Sequence, residues 1–185
     1  MEHVKDWPTD ISNGTILVMD KFLDYTLDPI SEAPASLNNL TYKWLHSEDY
    51  SMLKYSVGHF ADFYRGLKNI AELLEGLELP PAIQLYIDRI NGILREEPLQ
   101  NLAASEKGKR FSTRQNLYFG YHLRGRYKSN TLELIDIYSR LDAWYSMAVA
   151  VKTYGLSFPE FIEQDTPLVD AKGLYHILLP KPVAY

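Results

Sequence analysis

The chain has 185 residues, 46% of them apolar and none of them cysteine, and a formal net charge of −5. That is enough for one ordinary core, or one core with a small appendage, and too apolar for a disordered chain, and it excludes disulfides and thiolate metal sites. No apolar run approaches the ~20 residues of a membrane helix, and the N-terminus MEHVKDWPTD lacks a signal-peptide segment, so the expectation is a soluble, cytoplasmic protein with no membrane partner.

In chain order, residues 1–40 read as an N-terminal extended and loop region. Asn13-Gly14 is a turn signal, residues 15–19 (TILVM) are a β-like run, and residues 28–39 (DPISEAPASLNN) read as a loop. A helical core is expected over 41–157. Its first long helix, about 47–75, opens at Ser47 as cap, with Glu48 and Asp49 in the first turn. Leu53, Val57, Phe60, Tyr64, Leu67, Ala71 and Leu74 recur at spacings of four and three, and Met52, Phe63 and Ile70 widen the stripe. Gly58 and Gly66 inside it each cost about 1 kcal/mol against Ala, which close approach of another helix would offset, a flexible hinge being the alternative.

Pro80-Pro81 opens a shorter helix faced by Ile83, Ile87, Ile90 and Leu94, with a turn or two more through Leu102. Residues 105–110 (SEKGKR) read as an exposed loop, and Ser112 with Gln115 as a capping box for a helix dense in aromatics over roughly 112–127. The second long helix, about 131–154, is expected to be the spine of the chain, capped by Asn130 with Glu133 and closed by Gly155. Leu134, Ile137, Leu141, Trp144, Ala148 and Val151 share one of its faces. Residues 158–185 read as an extended link, with short strands at 168–169 and 174–179. The fold class is mainly α: a helical bundle with two long helices, two or three shorter ones, and short extended segments at both ends.

Charge is distributed unevenly. Residues 107–128 hold seven Lys/Arg and no acid, which leaves 12 Lys/Arg against 24 Asp/Glu elsewhere. Lys107, Lys109, Arg110, Arg114, Arg124, Arg126 and Lys128, interleaved with aromatics, are the candidate nucleic-acid contacts. The bland alternative is a solvated basic face that pairs with the chain's own acids, and the three arginines 114, 124 and 126 cannot share one helical face. Gly108-Lys109 is no phosphate loop: Ala103 stands where its first glycine belongs, and Arg110 where its Ser/Thr belongs. His3, His46, His59, His122 and His176 have no metal-ligand spacing, and no Ser–His–Asp set can be nominated. Asp142 beside the seam is expected to make a structural hydrogen bond.

The C-terminal third carries three phrases: IYSRLDAWYSMAVA (137–150), FPE (158–160) and GLYHILLPKPV (173–183). They resemble the MutS family, at the end of its helical core (lever) domain and the junction with its ATPase domain. The texture is that of short bacterial MutS-like proteins. Leu141, Asp142, Ser146 and Ala148 match a helix motif L-D-x-x-x-S-x-A. His176, Leu178 and Leu179 match a segment of the R-H-P-L-L type, with Tyr175 and Ile177 in place of its arginine and proline. Phe158-Pro159-Glu160 has the spelling of a base-stacking Phe-x-Glu, but its place in the link argues against that role.

The resemblance implies a non-catalytic fragment connecting DNA-holding regions to an ATPase domain beyond Tyr185. ATP and magnesium would be bound there and no cofactor here. DNA would be met through a full-length homodimer, the fragment itself being monomeric. Two other readings compete: a helical protein-interaction module without nucleic-acid contact, and a small enzyme with a helical active site.

Overall fold

The structure is a computed structural model that describes Trp7, residues 11–31 and 36–176, and Leu179. Among these residues there are seven helices and no strand: α1 (Asn13–Asp24), α2 (Ser36–Leu45), α3 (Ser47–Leu73), α4 (Pro81–Leu94), α5 (Glu97–Ala103), α6 (Thr113–Arg124) and α7 (Lys128–Tyr154). The chain divides into two compact units, Met1–Leu141 and Asp142–Tyr185. No helix among the described residues is long and apolar enough to cross a membrane. The mainly α bundle with two long helices is as expected; α1 and α2 are the additions.

The expected strand at 15–19 is helical. The Ser12 side chain accepts a hydrogen bond from the Thr15 amide at 3.1 Å, so Asn13-Gly14 opens a helix instead of a turn. Thr15, Met19, Phe22 and Leu23 are then buried at helical spacing, a face too short to separate from β-like texture by pattern alone. α2 likewise replaces the end of the expected loop at 28–39, residues 32–35 of which lie outside the described residues.

Within the first unit the hub is α3, which packs on α1, α2, α4, α5 and α6. This corrects the expectation that α7 is the spine. The physical reason is the width of the apolar stripe. Leu53, Val57, Phe60, Tyr64, Leu67 and Ala71 are buried, and so are Phe63 and Ile70 beside them, so α3 offers apolar surface on several sides. Its aromatics meet edge to face: Phe22 and Phe60 at 5.6 Å, Phe63 and Tyr138 of α7 at 6.0 Å. Gly66 is where Ile11 closes onto α3; a Cβ there would lie 2.6 Å from Ile11 Cδ1. The close approach is by a side chain ahead of α1, where a neighbouring helix was expected. Nothing lies within 4 Å of a Cβ on Gly58.

Local signals fared unevenly. Ser112 and Gln115 form the full capping box of α6, and Pro81 opens α4. Ser47 is inside α3: His46 is the N-cap and makes no side-chain cap bond, while Glu48 and Asp49 do occupy the first turn. Asn130 is no cap either. α7 already begins at Lys128, the Thr131 hydroxyl donates to the Tyr127 carbonyl at 2.8 Å, and Glu133 is drawn instead to Arg89 of α4 at 2.5 Å.

α7 is buried at Thr131, Leu134, Ile137, Tyr138 and Leu141 and no further. The second unit holds the remainder of that helix and a non-helical segment. Gly155 at φ 63° closes α7 as expected. The Tyr175 hydroxyl donates to the Tyr154 carbonyl at 2.9 Å. The described residues at 168–169 and 174–176, and Leu179, are not in strands, and Ile177 and Leu178 lie outside the described residues.

Candidate functional site

Seven cations were singled out in the sequence, and the structure divides them. Three serve the fold. Arg124 donates to the Tyr25 carbonyl and lies over the Phe22 ring at 5.7 Å. Arg126 pairs with Glu96 at 3.2 Å and lies over Tyr127 at 5.2 Å. Lys128 donates to the Leu23 carbonyl at 2.8 Å and to Asp24 at 3.1 Å. These contacts pin α6 and the start of α7 to α1 and α5, with acids and carbonyls as partners, as the bland alternative anticipates. Lys107, Lys109, Arg110 and Arg114 are exposed, on the loop before α6 and its first turn.

Lys109 and Arg110 do not stand alone. They line a groove of about 250 Å³ between that loop and α3. From α3 come Lys54, Tyr55, Gly58, Ala61, Asp62 and Arg65. From the loop come Ser105, Glu106, Gly108 and Phe111 as well, and Asn116 of α6 completes the lining. Four cations thus face two carboxylates in a chain that is acidic overall.

Each wall has a local cause. Lys54, Gly58, Ala61 and Arg65 recur at spacings of four, three and four, so two cations flank two small residues on one helical face. Gly58, unexplained as a packing glycine, leaves that face open. The loop is tied down by Arg65, which donates to the Ser105 carbonyl at 2.9 Å and to Asp62 one turn back. Ser105 itself is buried, and its hydroxyl donates to the Leu102 carbonyl at 2.7 Å. Gly108 takes φ 74° to turn the loop, a conformation a Cβ would strain.

Two residues that line this groove each hold a buried polar atom without a hydrogen-bond partner: Arg65 Nε, a donor, and Asn116 Oδ1, an acceptor. Asn116 is only 1% exposed. Its amide is fixed in orientation, because Nδ2 donates to the Phe111 carbonyl at 3.1 Å. Tyr55 is 62% exposed at the rim and meets His59 edge to face at 4.6 Å. Sequence reasoning missed Lys54, Tyr55, Arg65 and Asn116. The K-x3-G-x2-A-x3-R spacing of α3 was a legible signal; nothing in the sequence brings Asn116 to it.

None of the residues of the MutS-like phrases is among those that line the groove. Leu141 is buried as the last core residue of α7. Asp142 is half-buried and engaged, Ser146 is exposed, Ala148 is half-buried, and His176 is exposed and engaged.

A third cluster joins Asp28, His46 and Asp49, whose ligand atoms lie within 4.8 Å of one another. His46 Nδ1 lies 2.5 Å from Asp28, and the Asp28 amide donates to Asp49 at 3.0 Å, so the groups satisfy one another. Burial, then the carboxylates of Asp49 and Asp28, push the nearby Tyr42 phenol up to about 12. The cluster ties the α1–α2 loop to the start of α3. Comparison with protein-family models, with curated proteins and with solved structures returned no match.

Proposed function

We propose that this chain is the non-catalytic helical core, of the lever type, of a MutS-like DNA-associated ATPase, and that it links a DNA-holding region to a nucleotide-hydrolysing domain. The observation that carries the reading is the change in α7 at Leu141. Up to that residue the helix is part of a core. After it Trp144, Met147, Val149 and Tyr154 are exposed, followed by Phe158, Phe161, Ile162, Leu168 and Val169. That much exposed apolar surface asks for a covering partner. The resemblance of residues 137–150 and 173–183 names it: an ATPase domain that binds ATP and magnesium, in a cytoplasmic protein that dimerises. A helix packed for half its length and engaged by a second domain for the rest suits transmission, because displacement survives along packed secondary structure.

On the DNA side the reading rests on Lys107, Lys109, Arg110 and Arg114. Arg124, Arg126 and Lys128 leave the argument, since they hold helices together. The test is salt-dependent binding of duplex and branched DNA. Lys107→Glu with Arg114→Glu should lower affinity and reduce the slope of log K against log salt by about 2. An unchanged slope would remove these residues from the DNA contact.

A helical protein-interaction module is the second reading. The same exposed apolar residues favour it, together with the internal use of three of the seven cations. It predicts no DNA binding at physiological salt and retention of a protein partner through Trp144 and Met147.

A further inference from the structure

We infer that the groove between α3 and the loop before α6 is a binding site for one nucleoside monophosphate unit, presented either free or as an unpaired nucleotide in a strand. For the strand-borne source it rests on the nucleic-acid reading above; the free nucleotide needs no such reading.

Four features converge. Lys54, Lys109 and Arg110 concentrate positive charge on the walls, where a phosphate would be neutralised. Tyr55 and Phe111 supply aromatic surface beside them, the stacking element that sequence-tolerant nucleotide sites use. Asn116 Oδ1 is a buried acceptor without a donor, and Arg65 Nε a buried donor without an acceptor. A buried amide oxygen so placed costs free energy unless a ligand or water meets it. A simple anion would meet the arginine and be repelled by the amide oxygen. A nucleotide carries partners for both kinds of group, since its phosphate and ring atoms accept while the N–H groups of its base donate.

Size and shape agree. About 250 Å³ lies just below the usual range of ligand pockets, so the groove takes at most one nucleotide unit and is too small for an extended dinucleotide. Gly58 and Ala61 keep the α3 wall low between Lys54 and Arg65. A Cβ on Gly58 would meet nothing within 4 Å, so glycine there is not demanded by packing. In a long helix it is disfavoured, and an open groove gives it a purpose.

The experiment uses the full chain and four probes: fluorescein-labelled oligothymidylate, thymidine monophosphate, inorganic phosphate and duplex DNA. The oligonucleotide should bind, thymidine monophosphate should compete, and inorganic phosphate should not. Gly58→Leu should abolish binding by filling the groove; it faces open space and is a better helix former, so the fold should be retained, as thermal unfolding will show. Tyr55→Ala should weaken binding about tenfold through loss of stacking. Equal affinity for the monophosphate and the oligonucleotide assigns the site to free nucleotide; an oligonucleotide at least tenfold tighter, on the order of a further 1.4 kcal/mol, assigns it to a strand.

The inference fails if neither nucleotide probe binds, if inorganic phosphate competes as well as the monophosphate, or if folded Gly58→Leu binds unchanged. Duplex binding that survives Gly58→Leu while the monophosphate never binds would sink this site and leave the proposed function standing. Monophosphate binding without duplex binding would do the reverse.

Discussion

α3 and α7 are both 27 residues long and carry apolar residues at alternating spacings of three and four, yet they live in different surroundings. α3 is buried from Tyr50 to Ala71. α7 is buried from Thr131 to Leu141 and then exposes Trp144, Met147 and Val149. A periodic stripe states which face would be buried; it does not state whether anything covers it. α3 is covered because five helices pack on it, and the first half of α7 is covered where α3 and the segment before α1 reach it. There the Tyr138 hydroxyl donates to the Ile11 carbonyl at 3.2 Å.

The sharpest way to break this comparison is Leu141→Ala. At 3% exposure the side chain is core, and its loss should cost about 2–5 kcal/mol in a urea titration. A loss below about 1 kcal/mol would place the boundary of the α7 core earlier, near Ile137.

Gly120→Ala probes how tightly α3 is surrounded. A Cβ there would lie 2.6 Å from Leu53 Cδ1 and 3.0 Å from its Cγ, and Leu53 is fully buried. Overpacking should cost about 1–3 kcal/mol despite the gain in helix propensity. A neutral or stabilising result would mean that α6 and α3 can separate without loss.

Tyr64→Phe tests the join between the two helices. The hydroxyls of Tyr64 and Thr131 share a hydrogen bond of 2.7 Å, and Thr131 donates onward to the Tyr127 carbonyl, so the Tyr64 proton is the one between them. Its removal should cost about 1 kcal/mol. Burial raises the Tyr64 phenol far above the ordinary tyrosine value of 10.0. Its contribution is therefore full below that unfolded value, and falls as pH rises from it toward the folded value, because only the unfolded chain then releases the proton. Stability measured from about pH 9 to about pH 11 should fall less steeply in Tyr64→Phe than in the parent. Equal slopes would show that Tyr64 is not closed off from water.

The smallest effect belongs to the exposed half of α7. Met147→Ser, at 54% exposure, should stay within about 0.5 kcal/mol in the chain alone. A larger loss would mean that the half of α7 past Leu141 is packed after all.

Legibility followed the range of the interaction. The α6 capping box, Pro81 at the start of α4 and Gly155 at the end of α7 were all readable, because each is satisfied by residues within a turn. Asn130 and Ser47 were misread for the converse reason. Both have cap chemistry, but α7 starts at Lys128, which Leu23 and Asp24 hold from afar, and α3 starts against His46, which Asp28 holds. The basic segment was legible as charge and illegible as a site. Its sequence cannot say that Arg124, Arg126 and Lys128 face partners in α1 and α5 while Lys109 and Arg110 face Lys54 and Arg65 across a groove.

By itself, then, the sequence determined the helical class, the two long helices, the apolar stripe of α3 and the presence of one basic stretch free of acids. These depend on periodicity and composition, which are local quantities. Tertiary structure alone decided that α3 is the hub, that the burial of α7 stops at Leu141, and that Asn116 is buried beside four cations. Those outcomes depend on which surfaces meet across dozens of residues, and loop closure and packing, rather than any short-range pattern, select among the possible meetings.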